Sequence, residues 1–127
     1  MEPSATFAAW IAALTHPHDR GYLVAAVTNE VRIERHGPIE RDHEPGPPVE
    51  VFDGVDAAGR WLRRLPPRVT FALVGAPVAD GDRWRIEYAL EVDGFENGGL
   101  WLARQADDGR LLHLSHRPFP LPEKYRW

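Results

Sequence analysis

Apolar residues recur at helical spacing through the first third of the chain and at strand spacing through its second half. In SATFAAWIAALTH, Phe7, Trp10, Ile11 and Leu14 share one helical face, with Ser4 offering an N-cap. Pro17 stops that helix, and Asp19 caps a second, short one carrying Tyr22, Leu23, Ala26 and Val27. The period then changes. In VRIERHGP, Val31, Ile33 and Arg35 alternate with Arg32, Glu34 and His36, as in a half-buried strand. A third helix follows in VDAAGRWLRRLPP, with Asp53 as its cap, Asp56 in its first turn and Pro66–Pro67 as its stop. Val55, Ala58, Trp61, Leu62 and Leu65 form its apolar stripe. A helix this short is stabilised mainly by packing, so the stripe requires a sheet to lie on.

The second half supplies strands. Asp80-Gly81 and Asp108-Gly109 each separate alternating segments, a strong hairpin signal, and a looser turn lies in DGFENGG. Two-residue turns would set Tyr88 opposite Leu73, Leu90 opposite Phe71 and Ile86 opposite Gly75, then His116 opposite Trp101 and Leu114 opposite Ala103. If the middle turn holds Leu90 opposite Trp101, one face gathers Phe71, Leu73, Trp84, Ile86, Tyr88, Leu90, Trp101, Gln105, Leu112, Leu114 and His116. That is the expected core face. The other, with Glu87, Leu102, Arg104, Leu111, His113 and Ser115 among its members, is mixed in the way a solvated or subunit-contacting face would be.

The order is thus helix, helix, strand, helix, then a meander of antiparallel strands: an α+β chain with helices against one face of a curved sheet. A length of 127 residues suits one domain over residues 1–127, closed by a proline-rich, extended tail from Arg117 to Trp127.

Composition narrows the function classes. With no cysteine, disulfides, thiolate metal sites, iron–sulfur clusters and a cysteine nucleophile are excluded. A net charge of -4 argues against a nucleic-acid surface, and Arg60, Arg63 and Arg64 read better as helix-end cations than as a phosphate footprint. No apolar run is long enough to cross a bilayer, so no membrane partner is expected. The acidic start MEPSATFAAW lacks the basic region of a signal peptide. Missing cysteine suits the cytoplasm and an export route alike; the reading adopted is cytoplasmic.

Three stretches carry a family resemblance. The helix-helix-strand run ends in RIERHGP, a turn with proline. VFDGVDAAGRWLRRL closes the following insert on a glycine and a helix. GLWLARQADDGRLLHLSHRPF makes a terminal hairpin about an Asp-Gly-Arg turn. Together they resemble the nuclear transport factor 2-like superfamily, in its SnoaL-like and ketosteroid-isomerase-like branch, over nearly the whole chain. The resemblance implies a cone-shaped roll: three helices of the N-terminal half packed on the concave face of a strongly curved, mostly antiparallel sheet. It further implies a deep apolar pocket for a hydrophobic small molecule, no cofactor, and a homodimer through the outer sheet face. Members include isomerases, dehydratases, polyketide cyclases and non-catalytic binding subunits, and fold alone does not choose among these.

In ketosteroid-isomerase-like members an acid near the end of the first strand is the base, while a first-helix tyrosine and a later-strand acid hold the oxyanion. Those positions fall here on His36 or Gly37, on Trp10 and on Trp101, and all three depart from the pattern. A histidine still suits a base near neutral pH.

The catalytic candidates are therefore His36 as base, or Tyr88 with His116 as an acid/base pair. Trp10, Leu14, Trp61, Phe71, Trp101 and Gln105 are the ligand-binding candidates. The expected chemistry is cofactor-free proton transfer: isomerisation, dehydration or aldol-type cyclisation. Each candidate has an ordinary alternative: an exposed turn residue for His36, packed core for Tyr88, His116 and the tryptophans. The rival function is a non-catalytic ligand-binding or dimerisation module, favoured by the missing family acids. No metal is expected. His113 and His116 mimic H-x-x-H, but on a strand that spacing sends them to opposite faces, and His43 with Asp42 and Glu44 lacks nameable partners.

Overall fold

The computed structural model describes residues 2–38 and 47–120. Helix α1 (Pro3–Thr15) begins with proline, whose missing N–H falls where no intrahelical partner exists, and buries Phe7, Trp10, Ala13 and Leu14. Its cap position is Glu2, upstream of the expected Ser4. In α2 (Arg20–Ala26), the Asp19 carboxylate accepts from the Gly21 amide, as its position in the sequence predicts.

Strand β1 (Val27–Arg35) starts at Val27, earlier than the alternation suggests. A short strand absent from the sequence reading, β2 (Glu50–Asp53), pairs antiparallel with it. Asp53 consequently ends a strand and pairs with Arg32, and Gly54, at φ 90°, stands as the cap of α3 (Val55–Arg63). The left-handed conformation there favours glycine. The apolar stripe of α3 is buried at Val55, Ala58, Trp61 and Leu62.

Four long strands follow: β3 (Thr70–Asp80), β4 (Arg83–Val92), β5 (Phe95–Gln105) and β6 (Leu111–Pro118). The sheet has six strands in the order β2-β1-β6-β5-β4-β3. Every neighbouring pair is antiparallel except β1 with β6, which is parallel and makes the sheet mixed.

Register explains where the sequence reading holds and where it does not. Leu73 faces Tyr88, Phe71 faces Leu90, Trp101 faces His116 and Ala103 faces Leu114, as expected. Leu90 does not face Trp101; its partner is Asn97, and Trp101 faces Ile86. The turn is tighter than assumed, closing directly between Val92 and Phe95. Because the slip is an even number of residues, the side chains of β4 and β5 keep their expected faces.

The β3–β4 turn likewise closes between Asp80 and Arg83, and the ladder is then interrupted between Val74 and Val78, so Ile86 has a bulge opposite it instead of Gly75. In β6 an irregularity lets Gln105 face Leu111, which puts Leu111 in the core and leaves Leu112 half-buried, the reverse of the simple alternation.

The core lies between the helices and one sheet face. Trp10 and Trp101 are fully buried within it, Phe7 stacks on Trp101, and Trp61 stacks on Trp10. Among the described residues no helix is long and apolar enough to cross a membrane. Of the expected tail, Arg117 and Pro118 belong to β6, and residues 121–127 lie outside the described residues, as do His43 and its acidic neighbours.

Candidate functional site

At one end of the core face a cavity of about 290 Å³ opens between α3 and the sheet, lined by Trp61, Leu65, Phe71, Tyr88 and Leu90 on its apolar sides. Polar groups enter from Arg35, Arg64, Asn97 and His116. An apolar enclosure with a few convergent polar atoms is the usual form of a small-molecule site.

The polar centre is a chain of hydrogen bonds. Trp101 Nε1–H donates to His116 Nδ1 at 3.1 Å, and His116 Nε2 lies 2.9 Å from the Tyr88 hydroxyl. An indole nitrogen donates only, so His116 Nδ1 must be an acceptor. The neutral imidazole then carries its proton on Nε2 and donates it to Tyr88 Oη. The tyrosine's own proton is thereby directed away from His116, on a side chain that lines the cavity.

Burial holds both groups in their neutral forms. His116 is lowered to about 4, first by desolvation and then by the charge of Arg35, with a further electrostatic contribution from neighbouring His36. Tyr88 is pushed well above the usual phenol range by desolvation, with Arg35 acting in the opposite direction.

Two glycines make room for this arrangement. Tyr88 faces Gly99 across β4–β5, and a Cβ on Gly99 would meet the Tyr88 hydroxyl at 2.6 Å and the Arg117 carbonyl oxygen at 2.3 Å. A Cβ on Gly98 would meet the Tyr88 carbonyl oxygen at 2.4 Å. The aromatic wall stands on them: Tyr88 stacks on Trp101 at 4.5 Å between centroids, and Trp61 meets the His116 ring edge-on.

At the mouth, the Glu50 carboxylate accepts from Arg35 Nη1 and, at 3.2 Å, from Arg64 Nη2. The Arg64 hydrogen bond, followed by the charge of Arg35, holds Glu50 below the ordinary glutamate range. Arg64 also lies over the Phe52 ring.

The sequence-derived candidates separate into groups. Tyr88, His116, Trp61 and Phe71 line the cavity, and Trp101 stands behind His116. Trp10 and Leu14 are core residues outside the lining. Gln105 donates at 2.7 Å to the hydroxyl of Thr6, tying α1 to the β5–β6 hairpin.

His36 sits elsewhere. It lines a polar groove on the opposite sheet face with Arg32, Glu34, His113 and Arg117, and its Nε2 is 4.0 Å from Glu34. His113 pairs with the same glutamate. The backbone links the two regions, since the His36 amide donates to the His116 carbonyl at 2.9 Å.

Arg35, Asn97 and the Gly98-Gly99 pair were not among the candidates. Each left a trace. Arg35 continues the apolar face of Val31 and Ile33, where a charge is out of place. Paired glycines inside a strand mark a close approach by another group. Among the described residues no three histidines, aspartates or glutamates gather as a metal site would require.

No family model matches this chain, and no curated protein does. Solved structures do. A SnoaL-like family protein of Agrobacterium tumefaciens, described as a candidate isomerase, superposes with TM-score 0.70 at 18% identity, covering 91% of this chain and 96% of that one. An NTF2-like protein of unknown function from Exiguobacterium gives 0.64 at 17% identity, over 91% and 99% of the two chains. A Mycobacterium tuberculosis protein in complex with estradiol-17β-hemisuccinate gives 0.65 at 20% identity, over 91% and 93%. The chain therefore has the nuclear transport factor 2-like fold. Within that class it takes the form shared by SnoaL-like and ketosteroid-isomerase-like proteins, and identities this low establish the fold alone.

Proposed function

We propose that this protein binds a small, mainly apolar molecule with a carbonyl oxygen, which accepts a hydrogen bond from Tyr88. The observation that carries the reading is the donor order Trp101, His116, Tyr88, which directs a neutral hydroxyl proton away from the imidazole at the cavity wall. A donor fixed in a site of low polarity stabilises negative charge building on a carbonyl oxygen. Steroid-hemisuccinate binding by a protein of the same fold is consistent with such a ligand.

As an enzyme, the protein would be a cofactor-free isomerase, dehydratase or cyclase in which Tyr88 polarises the carbonyl. As a binding module, it would hold the same ligand and release it unchanged. One observation favours the module: both His116 nitrogens are engaged within the protein, and among the described residues no carboxylate lines the cavity to act as base.

The finer architecture belongs to the same proposal. The interruptions in β3 and β6 bend those strands and roll the sheet into a cone. Its outer face, where Val51, Val78 and Leu102 accompany charges of both signs, forms a homodimer contact. Light scattering in solution tests the dimer.

The neutral ketone 1-tetralone tests the site. Calorimetry with wild type and Tyr88→Phe should show binding weakened about tenfold, the value of one net hydrogen bond. Equal affinity in the two proteins would remove the basis of the reading. Proton NMR in D2O then separates the two forms: exchange beside the carbonyl, accelerated by the protein, identifies an enzyme.

A further inference from the structure

The mouth of the cavity holds more positive charge than its described partners neutralise. Arg35 and Arg64 both line it, and among the described residues both pair with the single carboxylate of Glu50. Arg35 extends from the core face of β1, and its register partner on β6 is His116. Its charge reaches inward, acting on both His116 and Tyr88. Beyond this end the walls are Trp61, Leu65, Phe71 and Leu90, none of which carries a negative charge. A guanidinium presents five N–H donors in a planar fork suited to carboxylate, and one shared glutamate engages only part of two such forks.

We propose that the ligand of this cavity is a carboxylic acid, its carboxylate held by Arg35 and Arg64 at the mouth while its carbonyl oxygen meets Tyr88. The inference rests on the carbonyl-binding reading and adds the substrate class. Arg35 on β1 and Tyr88 on β4 stand three strand spacings apart, about 14 Å between backbones, and the Tyr88 side chain spans part of that gap to reach His116 on β6. The remaining gap suits a compact oxo acid of one or two rings. The ligand's carboxylate shares the guanidinium groups with Glu50, so Glu50 is both the residue that orients the arginines and a competitor for them.

Calorimetry with 6-carboxy-1-tetralone and its methyl ester tests this, because the pair shares the ring system and ketone and differs at one end by a charge and one methyl group. The acid should bind about tenfold more tightly than the ester, as charge-assisted hydrogen bonds exceed neutral ones. Added salt should weaken the acid and leave the ester unchanged. Arg64→Gln, at an exposed side chain, should close the gap by weakening the acid alone, with Arg35→Gln as the second variant. Equal affinity of acid and ester would overturn the inference and leave the carbonyl reading standing. Equal weakening of both by Arg64→Gln would also overturn it, since the arginine would then only shape the mouth. Failure of both compounds to bind would defeat the two readings together.

Discussion

Trp101 and His116 stand directly opposite one another in the β5–β6 pair, and the indole N–H of the first fixes the tautomer of the second. A backbone ladder thus determines the protonation pattern of a buried imidazole. Trp101→Phe removes the donor and leaves Nδ1 available for a proton. The expected result is a rise of the His116 pKa from about 4 towards the ordinary histidine value, read from the imidazole proton shifts in an NMR titration. A pKa that stays in place would show that burial, and not the indole donor, keeps the imidazole neutral.

Stability should fall on acidification because His116 is neutral when folded and takes up a proton readily when unfolded. The unfolded chain binds more protons between the ordinary histidine value near 6.5 and the folded value of about 4, so stability rises with pH across that window. Above it the full contribution is present; below it the contribution is gone. A shift of this size corresponds to about 3 kcal/mol. Urea unfolding at a series of pH values should show the slope, and His116→Gln should flatten it.

Gly99→Ala places a methyl group against the Tyr88 hydroxyl and against the backbone of Arg117 and Pro118. The tyrosine tip could give way, whereas the strand cannot without loosening the β5–β6 pairing. The expected cost is about 1–3 kcal/mol in denaturant unfolding, the usual range for overpacking. Binding of 1-tetralone should weaken by at least as much as in Tyr88→Phe. A variant of native stability and native affinity would mean that the glycine reserves no space for the ring.

Much of the fold was legible in the sequence, because periodicity and Asp-Gly turns are local signals. The α3 stripe, the Asp19 cap and the pairing of Trp101 with His116 all follow from such signals. The strand β2 was hidden because four residues among prolines and charges have no readable period, and β1 alone gives them a reason to extend. The site was legible in outline: alternation put Tyr88, His116, Phe71 and Trp101 on one face. It could not reveal that a glycine opposite Tyr88 decides where the hydroxyl lies, since that depends on a register four residues away from the one assumed. Gln105 shares the same face yet closes the far end of the hairpin onto Thr6, because a face extends the whole length of a strand and a pocket occupies only part of it.

The parallel pair of β1 with β6 has a consequence for how the chain is made. Residues 27–35 wait for partners at 111–116, so the middle of the sheet cannot close until nearly all of the domain has been synthesised. At ordinary elongation rates that interval is on the order of ten seconds. Early in it the nascent helices and β1 have only one another and β2 to cover Phe7, Trp10 and Ile33, before β3 emerges to pack against α1. The last hairpin to emerge is the one that buries them, and it brings Trp101, His116 and the completed cavity into place in the same event.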